Sequence, residues 1–367
     1  MTSPRALQIH AGPRALPVLR QRPLQAGDVA AMPAAAGGAK GLILNPLDRF
    51  LFGRFLGERA ALRDCVHLIG ASIGAWRMAI ACLPDVDAGF AQLAEDYITQ
   101  RYEHRPGRAP PARHVSEVFG ARLAERFGGR EAGVLGHPNF RLHVVVARGR
   151  HLLRRDGRTG SGLTTPLGYL GAFASNALHR RALGVWLERV VLSDPRSPLP
   201  MPLDDLPTRR LALSPANLQP ALLASCSIPF WLESVREIPG APHGAYWDGG
   251  LTDYHLHWRY DALPDGLVLY PHFQPEVVPG WLDKPFRRRH RATAALDNLV
   301  VVSPRPEWIA GLPNGKLPDR ADFKSYGDDH LRRQRDWRMA VAEARRLADE
   351  FQAWTEGRLP LAVQPLP

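Results

Sequence analysis

The chain has few cysteines, few lysines and no long hydrophobic run. Its 367 residues include three cysteines, Cys65, Cys82 and Cys226, each in an apolar stretch. An odd number of such cysteines argues against a disulfide framework or a zinc site and predicts buried side chains in a reducing compartment. No stretch contains the roughly 18 apolar residues that a membrane-spanning helix requires. The N-terminal residues carry scattered arginines and no apolar core, unlike a secretory signal, so we predict a cytoplasmic protein.

Lysine is rare, and arginine carries most of the positive charge. Four of the 47 basic residues are lysines, and the formal net charge is +11. A basic surface favours anionic partners such as lipid headgroups, fatty-acid carboxylates or nucleic acid. A genome rich in arginine codons would produce the same excess, so composition alone does not choose the partner. Hydrophobic residues make up 45% of the chain, which predicts a globular protein with a large core.

Short apolar runs alternate with helical patterns along the chain. Strands are predicted at 64–69, 140–146, 186–192, 267–270 and 299–303, with a long helix over 329–356. This alternation predicts an α/β layered fold. The proline- and arginine-rich segment 104–113 predicts an exposed loop, and 14–19 predicts a short edge strand.

One serine lies between two glycines where a predicted strand ends and the predicted helix 73–83 begins. The segment is G-A-S-I-G, residues 70–74. A nucleophile on such a turn is lifted clear of the sheet, and glycines at 70 and 74 avoid a clash between Cβ atoms as the backbone folds back. The N-terminal end of the helix also favours developing negative charge. The pattern predicts Ser72 as a nucleophile; the alternative is a turn that only permits close packing.

A second glycine-rich segment precedes a predicted helix over 46–58. Consecutive glycines in Gly37-Gly38-Ala39-Lys40-Gly41 allow several backbone N–H groups to point into one cavity, as an oxyanion hole requires. The segment is not a Walker A loop, because no serine or threonine follows the lysine. It is not a dinucleotide fingerprint either, because alanine occupies the first glycine position. A flexible turn is the alternative.

A third segment, Asp248-Gly249-Gly250, follows a short apolar strand. The two glycines permit close approach of another loop, so the carboxylate could accept a serine proton directly. An aspartate with the ordinary pKa of about 3.9 is a poor base at neutral pH. Desolvation would raise the pKa, and a fixed hydrogen bond would position the carboxylate. An Asp-Gly turn without chemical function is the alternative.

In this order, GGAKG, GASIG and DGG resemble the motifs of patatin-like phospholipases. The segment A-S-C-S-I-P at 224–229 is similar to the one that precedes the aspartate of that family, and the resemblance covers about residues 30–270. It implies a three-layer α/β/α fold, modified from the α/β-hydrolase fold, with a mostly parallel central sheet. It also implies a dyad of Ser72 as nucleophile and Asp248 as base, without histidine, metal or organic cofactor.

The resemblance assigns roles to the remaining motif residues. The oxyanion amides are those of Gly37, Gly38, Ala39 and Ile73, Lys40 takes the place of the family's basic residue, and Gly41, Gly70, Gly74, Gly249 and Gly250 complete the motifs. Ala36 departs from the family's glycine run. Pro33 requires an edge strand or a bulge, and Trp76 is expected to line or crowd the acyl pocket.

By this resemblance the chain is a serine acyl hydrolase that cleaves carboxylic esters of lipids or phospholipids through an acyl-enzyme. The implied catalytic domain spans 29–303, after a partly ordered leader at 1–28 and before a helical extension at 304–367 that packs on the same domain. The expected partners are a lipid or other ester substrate and, peripherally, an anionic membrane. No specific nucleic acid is expected.

Two other interpretations remain open from the residues. An ordinary α/β-hydrolase would use a Ser-Asp-His triad, for which His272 is the best placed of the later histidines because it follows the strand at 267–270. A catalytically inactive relative would bind a membrane or nucleic acid through arginines at 287–291 and in the loop at 104–113.

Overall fold

The computed structural model describes residues 4–58, 61–62, 64–102, 110–155, 163–263 and 265–367. Most of the loop predicted at 104–113 lies outside the described residues. Among the described residues, no helix combines the length and the apolar character needed to cross a membrane.

The described strands form one mixed sheet. Its order is β10-β1-β9-β8-β2-β3-β4-β5-β6, and β7 pairs with β4 outside this path. The strands are β1 Leu7–Ala11, β2 Val29–Ala34, β3 Val66–Ala71, β4 Phe140–Gly149, β5 Leu187–Ser193, β6 Thr208–Ala212, β7 Tyr246–Asp248, β8 Leu267–Pro271, β9 Leu299–Pro304 and β10 Val363–Pro365. The central strands from β9 to β4 are parallel, whereas β1, β5 and β7 run antiparallel to their neighbours in that group. The predicted α/β class with a mostly parallel central sheet is therefore confirmed.

Helices pack against this sheet, an arrangement consistent with three α/β/α layers. They are α1 Ala15–Gln21, α2 Asn45–Phe50, α3 Ile73–Ile80, α4 Val86–Thr99, α5 Ala112–Phe127, α6 Glu131–Leu135, α7 Thr164–Leu178, α8 Pro215–Ser225, α9 Pro306–Ala310, α10 Asp322–Ser325, α11 His330–Glu343 and α12 Arg345–Thr355. The strands of the parallel group are almost wholly buried, as expected for strands covered on both faces. Their near-continuous apolar sequences, such as Leu299–Pro304, follow from this burial.

The structure corrects two predictions about local elements. The edge strand predicted at 14–19 is wrong, because α1 occupies this region and buries Ala15 and Leu19, four residues apart, on one helical face. The strand of this region is β1, and it lies inside the sheet between β10 and β9. The single helix predicted at 329–356 is divided into α11 and α12 at Ala344.

Pro33 lies in the central strand β2, so of the two predicted alternatives the edge strand does not apply and the bulge does. Its described partner is Ile69 of β3, and β2 pairs with β8 only around Val29 and Ala31, where the register shifts. Proline cannot donate a hydrogen bond to a neighbouring strand. The pairing with β8 ends before Pro33, so the missing donor does not interrupt it.

The helix that follows the predicted nucleophile is held by a buried ion pair. Every residue of α3 is buried, and Arg77 on this helix donates two hydrogen bonds of 2.7 Å to Asp48 of α2. Removing either partner would leave an unpaired buried charge, which costs about 3–5 kcal/mol. The pair therefore fixes the position of α3, and with it the turn that carries Ser72.

Candidate active site

Ser72 occupies the sharp turn between β3 and α3. Its backbone has φ 56° and ψ −132°, a conformation that costs a non-glycine residue about 1–3 kcal/mol. A Cβ atom on Gly70 would lie 2.4 Å from the backbone N of Ala75, and one on Gly74 would lie 2.0 Å from the carbonyl O of Ala34. Neither site can hold a side chain without movement of the backbone. The two glycines thus have the steric role that the sequence pattern predicts.

The structure brings Ser72 and Asp248 together although 176 positions separate them. The Ser72 Oγ donates a hydrogen bond of 2.6 Å to Oδ2 of Asp248, and both side chains are buried. Asp248 ends β7, which the antiparallel pairing with β4 places beside β3. The Gly250 N–H donates to the other carboxylate oxygen at 2.7 Å. The hydroxyl and the carboxylate therefore already have the geometry of a nucleophile and its base.

Burial raises the pKa of Asp248 to about 6. The hydrogen bonds from Ser72 and Gly250 oppose this rise, as do the positive charges of Arg320 and Lys284. A carboxylate whose pKa lies nearer to neutral pH is a stronger base than an ordinary aspartate, and it remains largely ionised at pH 7.

The glycine-rich segment lies beside this pair. The N–H of Ala36 donates to the carbonyl of Tyr254, and a Cβ on Gly250 would lie 2.7 Å from the Cβ of Ala36, so this segment contacts the D-G-G turn. Gly38 has φ +56°, a backbone conformation that favours glycine. A Cβ on Gly41 would lie 3.6 Å from a side-chain carbon of Ile73, so the segment also adjoins the start of α3.

Several backbone donors at this junction have no acceptor among the residues that the structure describes. Within the described part of the chain, the N–H groups of Gly37, Gly38, Ala39 and Ile73 donate to no protein group, whereas the N–H of Lys40 is bonded to the carbonyl of Gly37. Ala39 and Ile73 are buried, whereas Gly37 and Gly38 are half-buried. Buried backbone donors are normally paired. Unpaired donors on a segment that adjoins the serine turn are what an oxyanion would require.

Ser225 supports the serine turn, a role that the sequence motifs did not predict. Its Oγ accepts the backbone N–H of Ser72 at 2.9 Å and donates to the carbonyl of Val145 at 2.7 Å. The strained turn is thereby tied to β4. Ser225 is the first serine of the A-S-C-S-I-P segment, so this segment contained the sequence indication of its role.

Cations approach the carboxylate from segments that matched no motif. Lys284 and Arg320 both act electrostatically on Asp248. Partial burial lowers the pKa of Lys284 to about 8, and Lys40 and Arg320 contribute to the decrease as like charges nearby. The Nζ of Lys284 lies 4.0 Å from the ring centroid of Tyr254, in a cation–π contact. Nothing in the local sequence around residues 284 or 320 indicates this convergence, which depends on the tertiary fold.

The candidate histidine of the triad interpretation lies in a different hydrogen-bonding environment. His272 is fully buried, its Nδ1 contacts the backbone of Gln274, and burial lowers its pKa to about 3. Three of the other later histidines also bond elsewhere: His255 to Glu276 and Val278, His257 to Thr293 and His290 to Asp283. The hydrogen bonds described for Ser72 and Asp248 involve no histidine.

A cavity of about 150 Å³ lies near the glycine-rich segment. Its lining includes Trp76, Leu93, Tyr97 and Phe119. The hydroxyl of Tyr97 would be 3.6 Å from a Cβ on Gly38, which connects the cavity to the glycine-rich segment. Trp76 is buried and packs edge-on against Phe119 at 5.5 Å between ring centroids, so it forms one wall of this cavity.

These features define an α/β protein with a buried, hydrogen-bonded serine and aspartate at the end of the central sheet. Comparisons of the chain with known protein families and with curated proteins found no match. The functional interpretation therefore depends on the geometry and chemistry of the site itself.

Proposed function

We propose that the chain is a serine acyl hydrolase of the patatin-like type, acting on carboxylic esters of lipids or phospholipids. The observation that carries the proposal is the 2.6 Å hydrogen bond from Ser72 Oγ to Asp248 on a strained strand-to-helix turn. The unpaired N–H groups beside the turn support it. The cavity that includes Trp76 has an aromatic and aliphatic part, which suits an acyl group, and a charged part formed by Asp96, Arg101 and Arg122.

In the first step, Ser72 Oγ forms a bond to the ester carbonyl carbon while its proton passes to Asp248. The carbonyl oxygen becomes an oxyanion, which the N–H groups of Gly37, Gly38, Ala39 and Ile73 stabilise. The bond between the carbon and the alkoxy oxygen then breaks, and the protonated Asp248 gives its proton to the leaving alcohol. These steps leave an acyl group on Ser72.

In the second step, water attacks the acyl-enzyme and its proton passes to Asp248. Collapse of the second oxyanion breaks the bond between the acyl carbon and Ser72 Oγ, which recovers its proton from Asp248 as the carboxylic acid departs. Lys284 and Arg320 are placed to moderate the basicity of Asp248 and to attract anionic substrate groups.

A fluorophosphonate probe should label the chain at Ser72, because a phosphonyl group attached to Ser72 resembles the tetrahedral intermediate. Mass spectrometry of the digested protein locates the adduct. Heat-denatured protein is the control and should remain unlabelled, because the serine is activated only by the folded site. An adduct at another residue, or no adduct on the folded chain, would contradict the proposed nucleophile.

The activity should increase with pH through a midpoint near 6. Asp248 accepts the proton only in its ionised form, and burial raises its pKa to about 6. For an uncharged ester, kcat/KM is expected to fall about tenfold for each pH unit well below the midpoint and to level off above it. A profile flat between pH 4 and 8 would argue against Asp248 as the base.

A further inference from the structure

One helix exposes a wholly apolar face to solvent. Helix α7 contains no aspartate, glutamate, lysine or arginine, and its inner face buries small residues such as Gly168 and Ala172. Apolar side chains nevertheless fill its outer face and the residue before it: Leu163, Pro166, Leu167, Leu170, Phe173, Ala174, Ala177 and Leu178. Leu170 is 63% exposed and Leu178 is 87% exposed. A contiguous exposed apolar face of this kind is typical of a surface that contacts a partner or a membrane.

Exposed aromatic residues connect this face to the candidate active site. The ring of Phe230, which is 63% exposed, lies 5.7 Å from that of Tyr169 on α7. Tyr169 in turn lies 6.2 Å from Trp247, the neighbour of Asp248. Two further exposed tryptophans contact the cations of the site.

Trp231 and Trp281 each make a cation–π contact with one of these cations. The guanidinium carbon of Arg320 lies 6.0 Å from the ring centroid of Trp231, and Nζ of Lys284 lies 5.7 Å from that of Trp281. We call the outer face of α7 together with Phe230, Trp231 and Trp281 the apolar platform. Because Trp231 and Trp281 contact the two cations that act on Asp248, the platform adjoins residues of the candidate site.

Arginines border the apolar platform at the C-terminal end of α7. Arg287 and Arg288 are exposed on the short 3-10 segment Arg287–His290. The preceding Phe286 stacks on Phe173 of the platform at 5.9 Å, and Arg289 donates to the carbonyl of Ala177. The segment is therefore packed directly against α7.

The carboxylate in this region does not neutralise the exposed arginines. Asp283 is buried and is paired with Arg180 at 2.7 Å and with Arg289 at 2.7 Å. Within the described part of the chain, neither Arg287 nor Arg288 forms an ion pair with a carboxylate. Their charges therefore remain available to an external anion.

Basic residues also lie at the opposite end of α7. Arg154 and Arg155 are exposed at the end of the 3-10 segment His151–Arg154, whose Leu153 packs against Gly168 of α7. The apolar platform thus has positive charge at both ends of its helix.

We propose that the apolar platform and its bordering arginines dock on an anionic lipid bilayer. Leucine and aromatic side chains would enter the boundary between headgroups and acyl chains, while the guanidinium groups contact lipid phosphates. A second copy of the chain would be a poorer partner, because each copy carries a net charge of +11 and would place like-charged borders together. Docking on this surface would bring the residues around the candidate site close to lipid.

The inference deepens the proposed function, but docking requires no hydrolysis, and the two can be tested separately. The full chain is sedimented with sucrose-loaded vesicles of ether-linked lipids, which contain no carboxylic ester. One set consists of phosphatidylcholine and the other also contains phosphatidylglycerol. The wild-type chain should bind the phosphatidylglycerol vesicles, with weaker binding at high salt.

Two double variants test the two components of the surface. Leu167→Ser/Leu170→Ser removes apolar contacts, and Arg287→Gln/Arg288→Gln removes charge; each should weaken binding about tenfold or more. The matched controls are Leu331→Ser on α11, where the leucine is 80% exposed, and Arg335→Gln/Arg345→Gln, which removes the same charge from α11 and α12. Both controls should bind like the wild type. Circular dichroism checks that every variant is folded.

Absence of wild-type binding, wild-type affinity in both surface variants, or equal losses in the controls would each overturn the inference. So would conversion of a dimer to a monomer by the leucine variant, because a second copy would then be the partner. Binding of RNA without binding of vesicles would assign the arginines to nucleic acid and reject the bilayer. Intact vesicle binding without any fluorophosphonate labelling of Ser72 would reject the proposed hydrolase and support the docking surface.

Discussion

Replacing Ser72 by alanine is expected to lower kcat/KM for ester hydrolysis by about 10⁴-fold or more. In the proposed mechanism Ser72 supplies the oxygen that forms the acyl-enzyme. Loss of the nucleophile in a serine hydrolase leaves only the contributions of binding and the oxyanion site. Steady-state hydrolysis of a chromogenic ester measures the effect. Ser325→Ala is the matched control, because this exposed serine on α10 lies outside the site, and it should retain full activity.

A second variant at the same position separates chemistry from backbone strain. Ser72→Gly should be as inactive as Ser72→Ala, yet glycine adopts φ 56° without the penalty that other residues incur. We expect its free energy of unfolding to exceed that of Ser72→Ala by about 1 kcal/mol, measured by urea denaturation. If both variants kept activity close to that of the wild type, Ser72 would not be the nucleophile.

Replacing Asp248 by asparagine is expected to lower kcat/KM by about 10³-fold or more. Asparagine preserves the size of the side chain and can still accept the Ser72 hydrogen bond, but it cannot take the proton. Asp349→Asn, on the exposed side of α12, is the matched control and should be fully active. His272→Ala tests the triad interpretation, and a loss of activity as large as that of Asp248→Asn without a loss of folding would favour a histidine base.

The Asp248 variant should also change how stability depends on pH. Burial raises the pKa of this carboxyl to about 6 in the folded chain, whereas it is about 3.9 in an unfolded chain. The folded state therefore holds the proton more tightly, and this contribution to stability is lost as pH rises from about 4 through about 6.

At pH 8 the wild type consequently bears the cost of a buried carboxylate that Asp248→Asn avoids. We expect the variant to have an equal or higher Tm at pH 8, with the advantage shrinking as pH falls below 6. Differential scanning calorimetry at several pH values measures this. If the Tm of the variant minus that of the wild type were lower at pH 8 than at pH 4, the ionised carboxylate would be stabilising.

Much of the central architecture could be predicted from local pattern. Apolar runs indicated the strands β3, β4, β8 and β9, because strands buried on both faces consist mostly of apolar residues. Helical spacing of apolar residues indicated the C-terminal helices, because each buries one face. The leader was predicted less well. Its strand β1 is short, and only pairing with β9 and β10 makes it a part of the sheet.

The residues of the candidate site were likewise predicted only in part. Three glycine-containing motifs indicated the serine turn, the glycine-rich segment beside it and the aspartate, because each has a steric requirement that restricts its sequence. Ser225, Lys284 and Arg320 were not predicted, because a hydrogen bond or a charge acting from a distant loop imposes no local spacing. The exposure of the apolar outer face of α7 was not predicted either, since an apolar helical pattern indicates burial.

The sequence by itself determined the residue types at the turns: glycines where a Cβ would collide, and a serine and an aspartate at the ends of strands. Only the tertiary structure decided that the serine and aspartate meet, that Lys284 and Arg320 act on the carboxylate, and that the apolar side of α7 faces solvent. The physical reason is that steric limits act between near neighbours in the chain, whereas proximity, charge and exposure depend on which distant segments pack together.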